Sequence, residues 1–298
     1  AAHVGQRLAL RMPTDDDLVA LGLESKKVRG AKLPPGRGFT QLSEEFQIAS
    51  PDRTATVGLA SAVDGFDARA ATRISTLPAT VPRSELGPSV SRERLLIGIS
   101  DATLLPAAID LRDGHFVVVG PYRSGRSTAL ATIALAIREA APEVELFLLS
   151  PRRSPLRELG LFKATAAGVE TCTDAVGGLL ERAESPDAAS RPAVVLIDDA
   201  GELSEPIVSS RLERTLKAGR DGALTVVAAV ETAGARGIAA PWIREARREG
   251  HGLLLQPDLL SDGDLFNAKL PRRVAAPLIP GRGFLVYRGI PELVHLAA

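Results

Sequence analysis

A chain of 298 residues, 45% hydrophobic and 24% charged, holds enough apolar material for a full α/β domain and something besides it. Its 36 basic residues balance 36 acidic ones, which argues against wholesale non-specific binding to nucleic acid. The single cysteine, Cys172, excludes an internal disulfide and suits a reducing compartment; the four histidines lack metal-ligand spacing, and no apolar run approaches the ~20 residues of a membrane helix.

The chain starts at Ala1 with no signal-peptide pattern and reads as a piece of something longer. Residues 1–50 look like an ending. Arg7–Arg11 alternates like a strand, Asp15-Asp16-Asp17-Leu18 follows, then Leu33-Pro34-Pro35-Gly36-Arg37-Gly38-Phe39 and a strand-like Phe46–Ala49. The C-terminus repeats that order: Asp264-Leu265-Phe266, then Leu278-Ile279-Pro280-Gly281-Arg282-Gly283-Phe284, then Val294–Ala297. The spacing predicts an internal repeat, one module preceded by the tail of another. Residues 51–94, rich in Ala, Thr, Ser and Pro, read as a connector, with Arg73–Leu77 a candidate strand. Leu95–Ile99 and Ala107–Leu111 are candidate strands of the module that fills residues 95–298.

Next comes the stretch that organises the rest. Phe116-Val117-Val118-Val119-Gly120 is a β-branched strand, Pro121-Tyr122-Arg123-Ser124 a loop, and Gly125-Arg126-Ser127-Thr128 opens an alanine-rich helix. This is a P-loop layout with Arg126 where lysine is expected. Glycines let successive N–H groups point at phosphate oxygens, and the helix N-terminus adds positive potential. Ser127 is placed to hold Mg2+, and position 126 to reach the β- and γ-phosphates. Arginine is a planar fork rather than a point charge, so the exchange is not conservative.

Beyond the loop, Val144–Leu149 reads as a buried strand, 173–185 and 205–218 as helices, and Leu224–Val230 and Gly252–Leu255 as strands. Apolar runs alternating with helical patterns predict a largely parallel sheet flanked by helices. With one strand between, Val194-Val195-Leu196-Ile197 ends in Asp198-Asp199: Asp198 is the candidate Mg2+ ligand, and Asp199 sits where an attacking water would be activated. Asp199 is shorter than the usual glutamate. Arg211, Arg214, Arg220, Arg236, Arg244, Arg247 and Arg248 are candidates for a finger acting on a neighbouring module, against the plainer reading as solvated helix faces.

With the glycine loop, the Asp198-Asp199 strand and the Pro-Gly-Arg-Gly block in hand, the chain resembles the FtsK/SpoIIIE family of P-loop motors. More narrowly it resembles a late module of the EccC-type ATPases of type VII secretion, over residues 70–298 and, as the tail of a preceding module, 7–50. The resemblance implies a P-loop NTPase fold of the RecA/FtsK kind. It implies ATP and Mg2+ as cofactors, held by Gly120 through Thr128 with Ser127 and Asp198 on the metal. Asp199 and, at the end of the next strand, Thr232 (beside Glu231) are the implied catalytic positions. Implied partners are neighbouring modules of the same protein, small helical secreted proteins, and further copies in an oligomer that extends to a hexamer; membrane contact would come through upstream segments. Arg126 and Asp199 depart from the active pattern, which implies nucleotide binding with weak or absent hydrolysis. The alternatives are an active DNA-translocating module and a substrate-docking module without hydrolysis; zero net charge weighs against DNA.

Overall fold

A computed structural model describes residues 7–49, 76–112, 114–219, 224–237 and 240–298. The chain divides into two compact units, residues 1–73 and 74–298.

In the first unit, strands β1 (Leu8–Leu10), β2 (Arg37–Thr40) and β3 (Glu45–Gln47) form an antiparallel sheet in that order. Two short helices, α1 (Asp15–Ala20) and α2 (Ser25–Val28), connect the first two strands. The acidic run that carries no helical periodicity in sequence is the first turn of α1. Thr14 accepts the Asp17 N–H, the Asp17 carboxylate accepts the Thr14 N–H, and three aspartates face the positive end of the helix. Ala9, Leu18, Leu23, Val28 and Phe39 close the core.

The second unit is built on a ten-stranded sheet. Its parallel half contains β6 (Phe116–Gly120), β7 (Glu145–Ser150), β8 (Ala164–Ala167), β9 (Ala193–Ile197), β10 (Leu224–Glu231) and β11 (Gly252–Leu255), in the spatial order β11-β6-β10-β9-β7-β8. An antiparallel extension continues from β11 through β12 (Arg282–Tyr287), β13 (Ile290–Leu296), β4 (Leu95–Ser100) and β5 (Pro106–Ile109). Strands β6 and β9 are buried at every residue, which is why they read as unbroken apolar runs. Along β6, Val117 and Val119 face one core with α4 (Val169–Glu184) and α5 (Pro206–Gly219); Phe116 and Val118 face the other with α3 (Arg126–Ala140). Two short helices, α6 (Thr232–Arg236) and α7 (Pro241–Ala246), follow β10.

Two strands, not one, lie between the loop and Asp198 in sequence. The additional one, β8, is an edge strand of Ala-Thr-Ala-Ala with only Ala166 buried, so it lacks the bulky β-branched residues that announce a strand. The candidate strand at Arg73–Leu77 falls largely outside the described residues, as do 51–72 of the connector. Residues 76–94 pack on the second unit: Val81 and Leu86 are buried with Leu96 and Ala297, and Arg83 pairs with Glu139 at 2.7 Å. Buried Arg282 donates to the carbonyls of Leu77, Pro78 and Pro277.

The two units share a substructure. One fixed sequence offset carries Leu10 to Leu255, Gly36 to Gly281, Gly38 to Gly283 and Phe39 to Phe284. Gly38 faces Leu10 and Phe39 faces Ala9 across β1–β2, while Gly283 faces Leu255 and Phe284 faces Leu254 across β11–β12. Gly36 and Gly281 both take a left-handed conformation, φ 81° and 79°. A Cβ on Gly38 would lie 2.3 Å from the Ala9 carbonyl oxygen, and one on Gly283 would lie 1.9 Å from that of Leu254. The repeated sequence block is therefore a repeated strand register.

Candidate nucleotide-binding site

The site lies where β6, β9 and β10 end. Gly125, at φ 99°, turns the loop into α3, and no side chain caps that helix, whose first turn carries no acid. The N–H groups of Arg126, Ser127 and Thr128 thus have no intrahelical acceptor. These residues line an open cleft of about 610 Å3, whose other walls include Tyr122, Arg123, Arg152, Arg153, Asp199, Glu202 and Glu231. The chemistry of this wall fits an anion: uncapped N–H donors, a glycine turn and four guanidinium groups, of which Arg126 and Arg152 pair with the wall's own Asp199 and Glu202. Beneath the loop, the Gly281 N–H donates to the Ser124 carbonyl at 2.8 Å, so the Pro-Gly-Arg-Gly turn supports the loop from below. The Ser124 hydroxyl is buried and makes no hydrogen bond among the described residues.

Arg126 folds back on its own loop. Its Nη1 donates to the carbonyls of Gly120 at 2.7 Å and Pro121 at 2.8 Å, and its Nη2 meets Asp199 Oδ1 at 3.2 Å. The expected reach toward phosphate and the expected water-activating carboxylate are here bound to each other. Asp199 itself takes a left-handed backbone conformation, φ 48°, at the turn out of β9.

Ser127 and Asp198 come together. The Ser127 hydroxyl lies 2.9 and 3.1 Å from the two oxygens of the Asp198 carboxylate, and Asp198 is buried. One hydroxyl, one carboxylate and an adjoining anion site suit Mg2+, which takes oxygen ligands and shares them with phosphates and water. Among the described residues no group of three His, Cys, Asp or Glu side chains offers an all-protein metal site. Sequence reasoning missed Ser154, whose hydroxyl donates to Asp198 Oδ2 at 2.7 Å. The available signal was the Ser154-Pro155 helix start just past β7, the strand paired with β9.

At the end of β10, Glu231 and Gly234 line the cleft, whereas Thr232 opens α6 and does not. Four candidate finger arginines are engaged within the unit. Arg214 pairs with Glu184, Arg236 with Asp262 and Arg248 with Glu245, and half-buried Arg247 donates to the Ala235 carbonyl. Arg220 lies outside the described residues. Among these residues no helix is long and apolar enough to cross a membrane.

A glycine loop on a buried parallel strand, an uncapped helix and an aspartate two strands over define a domain of the P-loop ATPase class. No protein-family model matches the chain. It is 27% identical over 335 aligned positions to the ESX-4 secretion system protein EccC4 of Mycobacterium tuberculosis, covering 99% of this chain and 25% of that protein. The solved structure of Thermomonospora curvata EccC (ATPases 2 and 3), in complex with a signal sequence peptide, superposes with a TM-score of 0.66 at 23% identity, covering 98% of this chain and 58% of that one. EssC (ATPases 2 and 3) from Geobacillus thermodenitrificans superposes with a TM-score of 0.64 at 17% identity, covering 90% and 56%. The chain is therefore similar in sequence to an EccC-type secretion protein, and its fold is that of the ATPase domains of EccC and EssC. The chain spans about a quarter of the length of the curated relative it matches.

Proposed function

We propose that residues 95–298 form an ATP- and Mg2+-binding module of a type VII secretion ATPase, one that turns nucleotide over slowly. Residues 1–50 are in this reading the tail of a preceding module, and 51–94 the connector. The repeated β1–β2 and β11–β12 register supports that division, since the same glycine block closes both. Gly120 through Thr128 hold the phosphates, Ser127 and Asp198 the metal, and Asp199 flanks the γ-phosphate.

The observation that carries the slow-turnover reading is the Arg126–Asp199 pair. The residue that should bind phosphate is spread over two loop carbonyls and a carboxylate. The carboxylate that should orient water accepts a guanidinium N–H instead. Both groups must leave this arrangement before either can serve the reaction. Magnesium, when bound, supplies charge neutralisation on the phosphates; the loop N–H groups position them. By analogy with the relatives, the module works beside further modules in an oligomer. Its cargo is then a small helical secreted protein, and its membrane attachment belongs to other segments.

The test is turnover by the chain and by a variant carrying Arg126→Lys and Asp199→Glu together. The reading expects the natural chain to run well below the ~10 s⁻¹ median of enzymes, and the double variant to gain at least about tenfold. Turnover near that median in the natural chain would sink it.

A further inference from the structure

We infer that Ser154 is a positioning residue for the metal ligand Asp198, an inference that rests on the nucleotide reading above. Strands β7 and β9 run parallel and adjacent, with Leu149 facing Ile197 and the Asp198 N–H donating to the Leu149 carbonyl at 3.0 Å. The segment that leaves β7 therefore crosses directly over Asp198. Ser154 sits in it as the cap of a 3-10 turn, buried, accepting the Leu156 N–H at 3.2 Å. That bond fixes one side of its hydroxyl, and the hydroxyl proton goes to Asp198 Oδ2 at 2.7 Å.

The carboxylate is thereby held on both flanks. Ser127 approaches from the loop helix and Ser154 from the β7 exit, while the Asp199 N–H reaches Oδ1 at 3.2 Å. Ser127 is the hydroxyl that meets the metal, so it cannot also be the fixed reference for the carboxylate. Ser154 can. Its hydroxyl donates to Asp198 and accepts from the Leu156 N–H, so both of its partners are protein groups and it acts on the metal through Asp198. The exit segment is itself pinned, because Arg157 donates to the Ser150 carbonyl at 2.7 Å and to the Arg152 carbonyl. A rigid segment gives the hydroxyl a defined position, which is what second-layer partners of metal ligands require.

The test is a titration of Mg2+ into the whole chain with a fluorescent ATP analogue, repeated in EDTA, for the natural chain, Ser154→Ala and Ser154→Thr. Ser154→Ala is expected to raise the half-saturating Mg2+ concentration roughly tenfold. Its metal-free nucleotide affinity should stay within about twofold, and Ser154→Thr should restore the Mg2+ response by keeping the hydroxyl. An unchanged Mg2+ response in Ser154→Ala overturns the assignment. So does an equal loss in EDTA, or a Thr variant as poor as Ala, since either would mean that shape rather than the hydroxyl matters. In those cases Mg2+-dependent binding by the natural chain leaves the nucleotide reading standing. If the natural chain binds no nucleotide, both fall.

Discussion

Gly283→Ala offers the sharpest perturbation of the framework that holds the loop. The new methyl carbon would lie 1.9 Å from the Leu254 carbonyl oxygen and 2.8 Å from Leu255 Cα, contacts that side-chain carbons essentially never make below 3.0 Å. Every obstructing atom is backbone, so no rotamer change relieves the clash. Strands β11 and β12 must part by about an ångström, which loosens roughly two ladder hydrogen bonds worth about 1 kcal/mol each. Overpacking adds about 1–3 kcal/mol, for a total near 3–5 kcal/mol, a large share of the ~5–15 kcal/mol that stabilises a typical protein. The assay is urea unfolding followed by the fluorescence of Trp242, the single tryptophan, which is fully buried in the second unit and donates to the Leu203 carbonyl. With a slope of about 2–3 kcal/mol per molar urea, the midpoint should fall by roughly 1–2 M. Gly38→Ala makes the equivalent clash in the first unit and should leave the Trp242 midpoint in place. A Gly283→Ala shift below about 0.3 M would refute the reasoning.

Ser124→Ala removes a buried hydroxyl with no partner among the described residues, so stability should hold or rise by up to about 1 kcal/mol; a loss of more than about 1 kcal/mol would show that the hydroxyl is bonded. Asp198→Asn should abolish the Mg2+ dependence of nucleotide binding while leaving metal-free binding measurable; a retained Mg2+ response would move the metal site elsewhere. Burial, with the Arg282 guanidinium nearby, holds the His295 imidazole below its ordinary 6.5. The neutral ring is favoured in the folded chain, so the unfolded chain takes up more protons as pH falls through 6.5. Stability should therefore fall on acidification in that window, and His295→Gln should flatten the profile; an unchanged slope would contradict the cause.

The loop, the Asp198 strand and the repeat were legible because each depends on local chemistry. A strand buried on both faces must be an unbroken apolar run, and a phosphate loop must have glycine where the chain turns. The glycine block was legible for a further reason: Gly38 and Gly283 each lie against a neighbouring backbone, so no other residue fits. The rest depended on contacts between distant segments. Strand β8 borrows its order from β7 rather than from its own alanines, and α1 is specified by a cap rather than by periodicity. Nothing in the letters around residue 126 reveals that its guanidinium lies on Gly120, Pro121 and Asp199. Ser154 belongs to the site only because parallel pairing brings the ends of β7 and β9 side by side.

The most direct measurement is calorimetry of Mg-ATP binding to the natural chain, with Asp198→Ala as control and phosphate release followed in the same samples. Saturable binding that the control weakens to its metal-free level, with phosphate release far slower than the ~10 s⁻¹ of a median enzyme, is the predicted result. Absence of binding, or binding that Asp198→Ala leaves intact, would contradict it.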